Sequence, residues 1–202
     1  MQTRMNQQDN VATVERDLEC PTDLLREEHG FLYGGLKCLK LVTDRIAAGL
    51  EDLDPMLSQI LDLLETYVRV VHHAHEEMVF DVIRRKDRQE QLEALRELDG
   101  EHLEEQFILA TLQAEAKILR SASPQKRDAF IGTIAVYVES ATAHIMKENT
   151  VFFPLLKSWL TEEDRREILE AFSRPSPGTI ETDVREFAEK ARELLESFDV
   201  LR

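Results

Sequence analysis

The stretch that decides the fold runs from Phe130 to Pro154 and reads FIGTIAVYVESATAHIMKENTVFFP. Its apolar residues recur every three or four positions, the spacing of residues that share one face of an α-helix. Two polar residues four positions apart, His144 and Glu148, interrupt that face. The full face comprises Phe130, Ile134, Tyr137, Ala141, His144, Glu148 and Phe152. Because a buried polar group is costly unless it is satisfied, the stretch predicts a core helix with a binding partner for those two side chains.

Three more amphipathic helices precede this one, over about 22–49, 54–86 and 88–120. Asp54-Pro55 and Ser123-Pro124 each combine a capping residue with a proline in the first helical turn. Asp99-Gly100 is a candidate break in the third helix, and Pro154 bends or ends the fourth. Four such helices with short connections bury their apolar faces most simply as an up-and-down four-helix bundle, so the fold class is all-α.

The bundle is expected to occupy residues 22–158, between two less regular ends. Residues 1–21 are polar and aperiodic and predict a flexible N-terminal arm. Residues 159–202 predict a C-terminal helical extension packed on the outside of the bundle. In that extension Thr161 caps a helix over about 162–172, and residues 182–198 form an amphipathic tail helix.

Composition excludes several classes of function. The chain has 25 Lys and Arg against 40 Asp and Glu, a net charge of −15, which argues against a nucleic-acid partner. We find no run of about 20 apolar residues and no secretory signal, so we expect no membrane partner and a cytoplasmic location. Cys20 and Cys38 are too few for a disulfide framework and are expected to be reduced thiols.

Each of the four helices carries a polar residue on its apolar face. These residues are His29 on the first helix, His72 and Glu76 on the second, His102 on the third, and His144 and Glu148 on the fourth. A single core histidine is more often a neutral residue bonded to a neighbour than a metal ligand. Six such groups directed at one core indicate a shared binding site.

The spacing His-x-x-x-Glu occurs twice on these faces, at His72–Glu76 and at His144–Glu148. At this spacing both side chains leave adjacent turns of one helix face, so they can reach the same ion, and the spare carboxylate oxygen can bridge to a second ion. Clustered histidine and carboxylate suit iron or manganese better than calcium, and clustered cysteines for an iron–sulfur or structural zinc site are absent. Val79 stands where a His-Glu-x-x-His zinc-protease helix needs its second histidine.

The sequence resembles the hemerythrin-like, or HHE cation-binding, family over about residues 22–158. The resemblance is carried by LREEH at 25–29, HHAHEEMVF at 72–80, EH at 101–102 and HIMKENTVFFP at 144–154. It implies a non-haem centre of two iron ions bridged by two carboxylates, with manganese or zinc as substitutes. The ligands it implies are His29, His72, His102 and His144, with Glu76 and Glu148 as bridges.

The fifth histidine of the family has no direct counterpart here, because Leu98 stands four residues before His102. Some family members use the residue after the second-helix histidine, which gives His73 as the seventh ligand and His75 as the alternative. Both could equally be partly exposed helix histidines. Glu28, Glu77 and Glu101 are candidates to hold imidazole N–H groups, or else they face solvent.

The resemblance implies reversible binding of O2, for carriage, scavenging or sensing, as the leading class of function, which favours a binding protein and leaves an enzyme open. The alternative is a di-iron enzyme acting on peroxide or nitric oxide, or a protein of iron–sulfur cluster repair. A third reading is a metal-stabilised interaction module. A protein partner or a second copy of the chain would bind through the C-terminal helix.

Overall fold

The computed structural model describes residues 20–49, 54–173 and 193. Between residues 20 and 173 the chain forms five long helices and one turn of 3-10 helix at Leu119–Ser121. Helix α1 is Pro21–Ala47, α3 is Gln89–Ala116 and α5 is Glu162–Phe172. Helix α2 consists of Asp54–Thr66, a π-helical turn at Tyr67–His72 and His73–Arg84. Helix α4 consists of Pro124–Lys147, a π-helical turn at Glu148–Phe152 and Phe153–Trp159. The all-α bundle predicted from the sequence is confirmed.

The first four helices pack in a ring in which α1 contacts α2 and α4, and α3 contacts the same two helices. One apolar cluster joins the start of α1, the end of α2, the start of α3 and the end of α4, through residues such as Leu25, Val79, Leu98 and Phe152. Consecutive helices therefore run in opposite directions. A second apolar cluster fills the other end of the bundle, and the core is interrupted between the two.

Local signals place the helix ends. The predicted caps Ser123 and Thr161 are both present. The Ser123 hydroxyl accepts a hydrogen bond from the Lys126 amide, and Thr161 forms a capping box with Asp164. Gly49 ends the first helix with a φ of +83°, which glycine adopts without steric cost. The first helix begins at Pro21, one residue before the predicted Thr22, because the proline occupies the first turn.

Two expectations concern breaks in helices. The candidate break at Asp99-Gly100 is wrong, since α3 continues through both residues. A helical glycine costs only about 1 kcal/mol, and the neighbouring Leu98 and His102 are both buried in the bundle. Pro154 does not end α4, because the preceding π-helical turn places it at the start of a new α-helical segment, where no amide donor is needed.

The two π-helical turns explain the spacing of the buried faces. In α2 the face proceeds Leu64, Val68, His72 and Glu76, in three steps of four residues. Each such step overshoots a 3.6-residue turn by about 40°, so a regular helix would carry Glu76 away from the core. A π-helical turn holds more residues per turn and keeps the face aligned.

Helix α5 packs against the last segment of α2 and against the start of α1. Lys86 holds it there through an ion pair with Asp164 and a hydrogen bond to the Trp159 carbonyl. The predicted N-terminal arm and the tail helix at 182–198 lie outside the described residues, apart from Cys20, Pro21 and residue 193.

Among the described residues, one helix, Pro124–Trp159, is long and apolar enough by length and composition to cross a membrane. The stretch is not an uninterrupted apolar run, since Glu139 and His144 lie within it, and the expectation of no membrane partner stays a prediction. Core helices of soluble proteins meet the same criterion, and this helix carries Glu148 into the interior of the bundle, where its side chain is fully buried.

Candidate metal centre

The polar residues predicted from the sequence form a layer between the two apolar clusters. His29, His72, Glu76 and Glu148 are almost completely buried, with side-chain exposures of 0 to 2%. His102 and His144 close the other side of the layer at 9 to 10% exposure. All four helices contribute to this layer, because each helix has its polar residue at the same height in the bundle, between two apolar stretches.

The imidazoles form two pairs. Nε2 of His29 lies 3.1 Å from Nε2 of His72, and Nε2 of His102 lies 3.1 Å from Nε2 of His144. Two ligand nitrogens at about 2.1 Å from one ion and at right angles are about 3.0 Å apart. Each pair therefore has the separation of two neighbouring ligands on one ion.

The two carboxylates lie between these pairs and serve both. Glu148 places Oε2 3.0 Å from Nε2 of His29 and Oε1 3.3 Å from Nε2 of His144. Glu76 places Oε1 3.6 Å from Nε2 of His72 and Oε2 3.3 Å from Nε2 of His102. Each glutamate thus offers one oxygen to each imidazole pair, which is the arrangement that two bridging carboxylates require.

Three of the histidines are held so that Nε2 is free to bind an ion. Nδ1 of His72 donates to Glu28 over 3.0 Å, and Nδ1 of His144 donates to Glu101 over 2.7 Å. Nδ1 of His29 lies 3.1 Å from the side-chain oxygen of Asn149. Because these oxygens are acceptors, Nδ1 carries a proton and Nε2 is the nitrogen that faces the layer.

His73 is arranged differently. Its ring stacks on that of His102, with the ring centroids 4.0 Å apart. One of its ring nitrogens lies within 4.8 Å of ligand atoms of Glu76 and His102. Its Nδ1, however, faces the side-chain nitrogen of Gln106 at 3.1 Å, and its Nε2 lies 3.6 Å from Glu105. Burial lowers the pKa of His73 to about 4, so the ring is neutral at pH 7. Its place as the seventh ligand stays a prediction.

His75 lies outside these groups. Its Nδ1 contacts the second oxygen of Glu28 at 2.5 Å, and its ring packs on Phe172 of α5 at 4.5 Å. Of the three glutamates considered as partners of imidazoles, Glu28 and Glu101 take that role. Glu77 does not, because its exposed side chain pairs with Arg84 instead.

Sequence reasoning missed Asn149, Gln106 and Glu105 as partners of the histidines. Asn149 directly follows Glu148, and the π-helical turn that begins there brings its amide to His29. Glu105 and Gln106 follow His102 by three and four residues, which places them one turn further along the same side of α3. That spacing was the available signal.

The site as described holds too little positive charge for its carboxylates. All four oxygens of Glu76 and Glu148 are buried, and none has a hydrogen-bond partner within the described part of the chain. Burial and repulsion by Glu148 raise the pKa of Glu76 well above its ordinary value. Burial alone would raise the pKa of Glu148 too, but His102, His144 and His29 lower it overall. The pair accommodates one negative charge, and a second is stable only beside a cation.

The donor set fits metal cations. His72 and His73 are neutral at pH 7, because burial lowers the pKa of each below its ordinary value. In His144, burial works against the charged form, but Glu148 and Glu101 raise the pKa to about 9, so a cation would replace the proton there. Three groups of side chains in the described ranges could each hold an ion. The first comprises His29, His72, Glu76 and Glu148. The other two lie on the opposite side and share His102, and they comprise His73, Glu76 and His102, and His102, His144 and Glu148.

Fold and site together define a helical bundle that could hold metal cations in its core. A family model, the hemerythrin HHE cation binding domain, matches residues 20–156, and the chain belongs to this family. Searches of curated proteins and of solved structures found no match.

Proposed function

We propose that the protein binds two iron ions in this layer and that the di-iron centre binds O2 reversibly. The observation that carries the proposal is the division of each carboxylate between the two imidazole pairs, with one oxygen of Glu76 and one of Glu148 toward each pair. A site for a single ion would need only one of these pairs. Manganese or zinc would fit the same donors, and cellular supply decides between the metals.

The charge of the surroundings supports two divalent ions. Two such ions and two bridging carboxylates leave a charge of +2 in the core. Glu28, Glu101 and Glu105 lie beside His72, His144 and His73, the imidazoles that would hold the ions. Although burial opposes ionisation, hydrogen bonds from histidines and, for Glu101, from Lys147 lower the pKa of all three carboxyls. Their negative charges offset the excess and strengthen the imidazoles as ligands.

Two reduced iron ions held by these residues would supply the electrons with which O2 is bound. The chain's own residues hold the ions in place and exclude water. Phe153 stacks on His29 at 5.1 Å, and Phe80 lies parallel to His102 at 6.1 Å. An apolar cluster closes the layer from each end, so a small neutral ligand is favoured over bulk water.

The test is elemental analysis of protein purified without chelator, together with absorption spectra after dithionite reduction and after return to air. We expect about two irons per chain and bands that bleach and return over repeated cycles. One zinc per chain, or no metal, would contradict the iron centre. Catalytic loss of added peroxide or nitric oxide, without a stable oxygenated form, would assign the enzymatic alternative instead.

A further inference from the structure

The two sides of the buried layer differ in their access to solvent. The pair His29 and His72 is sealed, with side-chain exposures of 1 and 2%. The opposite side opens slightly at His102 and His144, at 9 and 10%. An ion that enters the folded protein from solvent therefore has a shorter path to the layer on the side of His102 and His144.

A partly open cavity of about 310 Å³ lies against this second side, between α3 and α4. Its inner wall is formed by His144 and Glu105, the most buried polar side chains of its lining, at 10 and 14% exposure. Directly behind His144, at 3.3 Å from its Nε2, lies an oxygen of Glu148 that is buried and lacks a hydrogen-bond partner within the described residues. The cavity therefore ends at groups that are suited to receive a cation.

The mouth of the cavity is acidic. Glu101 and Glu104 line one wall from α3, and Lys147 lies on the facing wall. Lys147 is neutralised by Glu97 and Glu101, at 2.7 and 2.6 Å. A cleft lined by one sign of charge concentrates the field and attracts ions of the opposite sign.

We propose that this cavity is the route by which divalent cations enter the buried layer, with Glu104 attracting them at the mouth and His144 receiving them at the inner wall. This route rests on the proposed metal centre and specifies how its ions reach it. The side chains of Ser140, Ala141 and Ala143 are small, so they leave the passage open on the α4 side.

The test is the rate at which the metal-free, full-length protein takes up Co²⁺, followed by the visible absorption of the bound ion. Ser140→Trp narrows the passage and should slow uptake several-fold while leaving the final stoichiometry unchanged. Glu104→Lys reverses a charge at the mouth and should slow uptake about tenfold at low ionic strength, with a smaller effect at high salt.

Val136→Trp is the matched control, because Val136 lies one turn from Ser140 on the same helix, is exposed and does not line the cavity. Its uptake rate should equal that of the wild type. Should Ser140→Trp fail to fold, the Glu104→Lys rate and its salt dependence still decide the matter. Equal rates in the wild type and in Glu104→Lys would overturn the route alone, whereas a wild type that binds no Co²⁺ would overturn the metal centre and the route with it.

Discussion

The carboxylate of Glu28 on α1 accepts a hydrogen bond from Nδ1 of His72 on α2, over 3.0 Å and 44 positions along the chain. Its other oxygen accepts from His75. Burial by itself would raise the pKa of Glu28, but the two imidazoles lower it overall, so the group is ionised at neutral pH. One buried carboxylate thereby fixes the orientation of a candidate ligand and connects it to the residue that packs on α5.

Replacing Glu28 with glutamine should weaken metal binding about 10- to 100-fold, because the charge that orients His72 and strengthens it as a ligand is lost. The measurement is a Co²⁺ titration in competition with a chelator of known affinity. Glu77→Gln is the control, since Glu77 is exposed and pairs with Arg84. Equal losses in both variants would contradict the positioning role of Glu28.

The assignment of ligands predicts different outcomes for neighbouring histidines. His144→Ala and Glu148→Ala each remove a donor that faces the core and should lose metal, whereas His75→Ala should retain it. Elemental analysis of the three purified variants gives the result directly. Retention of two ions in all three variants would refute the proposed ligand set.

Removal of the metal should lower the melting temperature. The metal-free layer leaves Glu76 and Glu148 buried without hydrogen-bond partners among the described residues, and ions that bind only the folded state stabilise it by mass action. At a free metal concentration of a thousandfold the Kd, one site contributes about 4 kcal/mol to the free energy of unfolding. Calorimetry with and without metal checks this, and identical melts would mean that the cluster is not a core metal site.

Helices α1 and α2 approach closely at Gly35. A Cβ atom built there lies 2.6 Å from Cδ2 of Leu64, a side chain that is itself buried in the core. Gly35→Ala should therefore destabilise the protein by about 1–3 kcal/mol through overpacking.

Gly132→Ala on α4 is the matched control, because nothing lies within 4 Å of its built Cβ. That substitution should be neutral or stabilise by up to about 1 kcal/mol through its effect on helix propensity. Chemical denaturation of both variants measures the contrast. A Gly35→Ala protein as stable as Gly132→Ala would show that α1 and α2 are less tightly packed.

The attachment of α5 should depend on pH through Asp164. Burial alone would raise the pKa of this carboxyl, but hydrogen bonds from Lys86 and Thr161 lower it below its ordinary value. A lowered pKa means that the ionised form stabilises the fold above the unfolded-state pKa of about 3.9, and that this contribution is lost as the pH falls through the folded-state pKa.

Asp164→Asn should accordingly cost about 1 kcal/mol of unfolding free energy at pH 7 and nothing in acid below both pKa values. Denaturation at several pH values gives the profile. The control is Glu163→Gln, an exposed acidic residue in the same first turn. A cost for Asp164→Asn that stays constant into strong acid would exclude the ion pair as its cause.

The all-α fold and the polar layer were predictable because both follow from the spacing of apolar and polar residues along each single helix. A helix repeats every 3.6 residues, so the face that carries Phe130, Ile134 and Tyr137 is visible without any knowledge of its neighbours. The same face identifies His144 and Glu148 as buried polar residues. Their shared height in the bundle follows from four helices that run in alternate directions.

Other features depended on contacts between residues far apart in the sequence. Glu28 is buried and bonded to His72, whereas Glu77 is exposed and paired with Arg84. No local sequence pattern distinguishes the two glutamates, because the difference lies in which helix packs against each. The break expected at Asp99-Gly100 did not occur, since tertiary packing outweighed the helix propensity of one glycine.

The sequence by itself determined which faces are buried and which residue types lie on them, because hydrophobic periodicity is a property of a single helix. Only the tertiary structure decided which oxygen of Glu76 and Glu148 faces which imidazole, that His75 turns to Glu28 and Phe172, and that a cavity ends at His144. Those relationships are set by the separations and rotations of helices around a common axis, and these are fixed when side chains of different helices pack together.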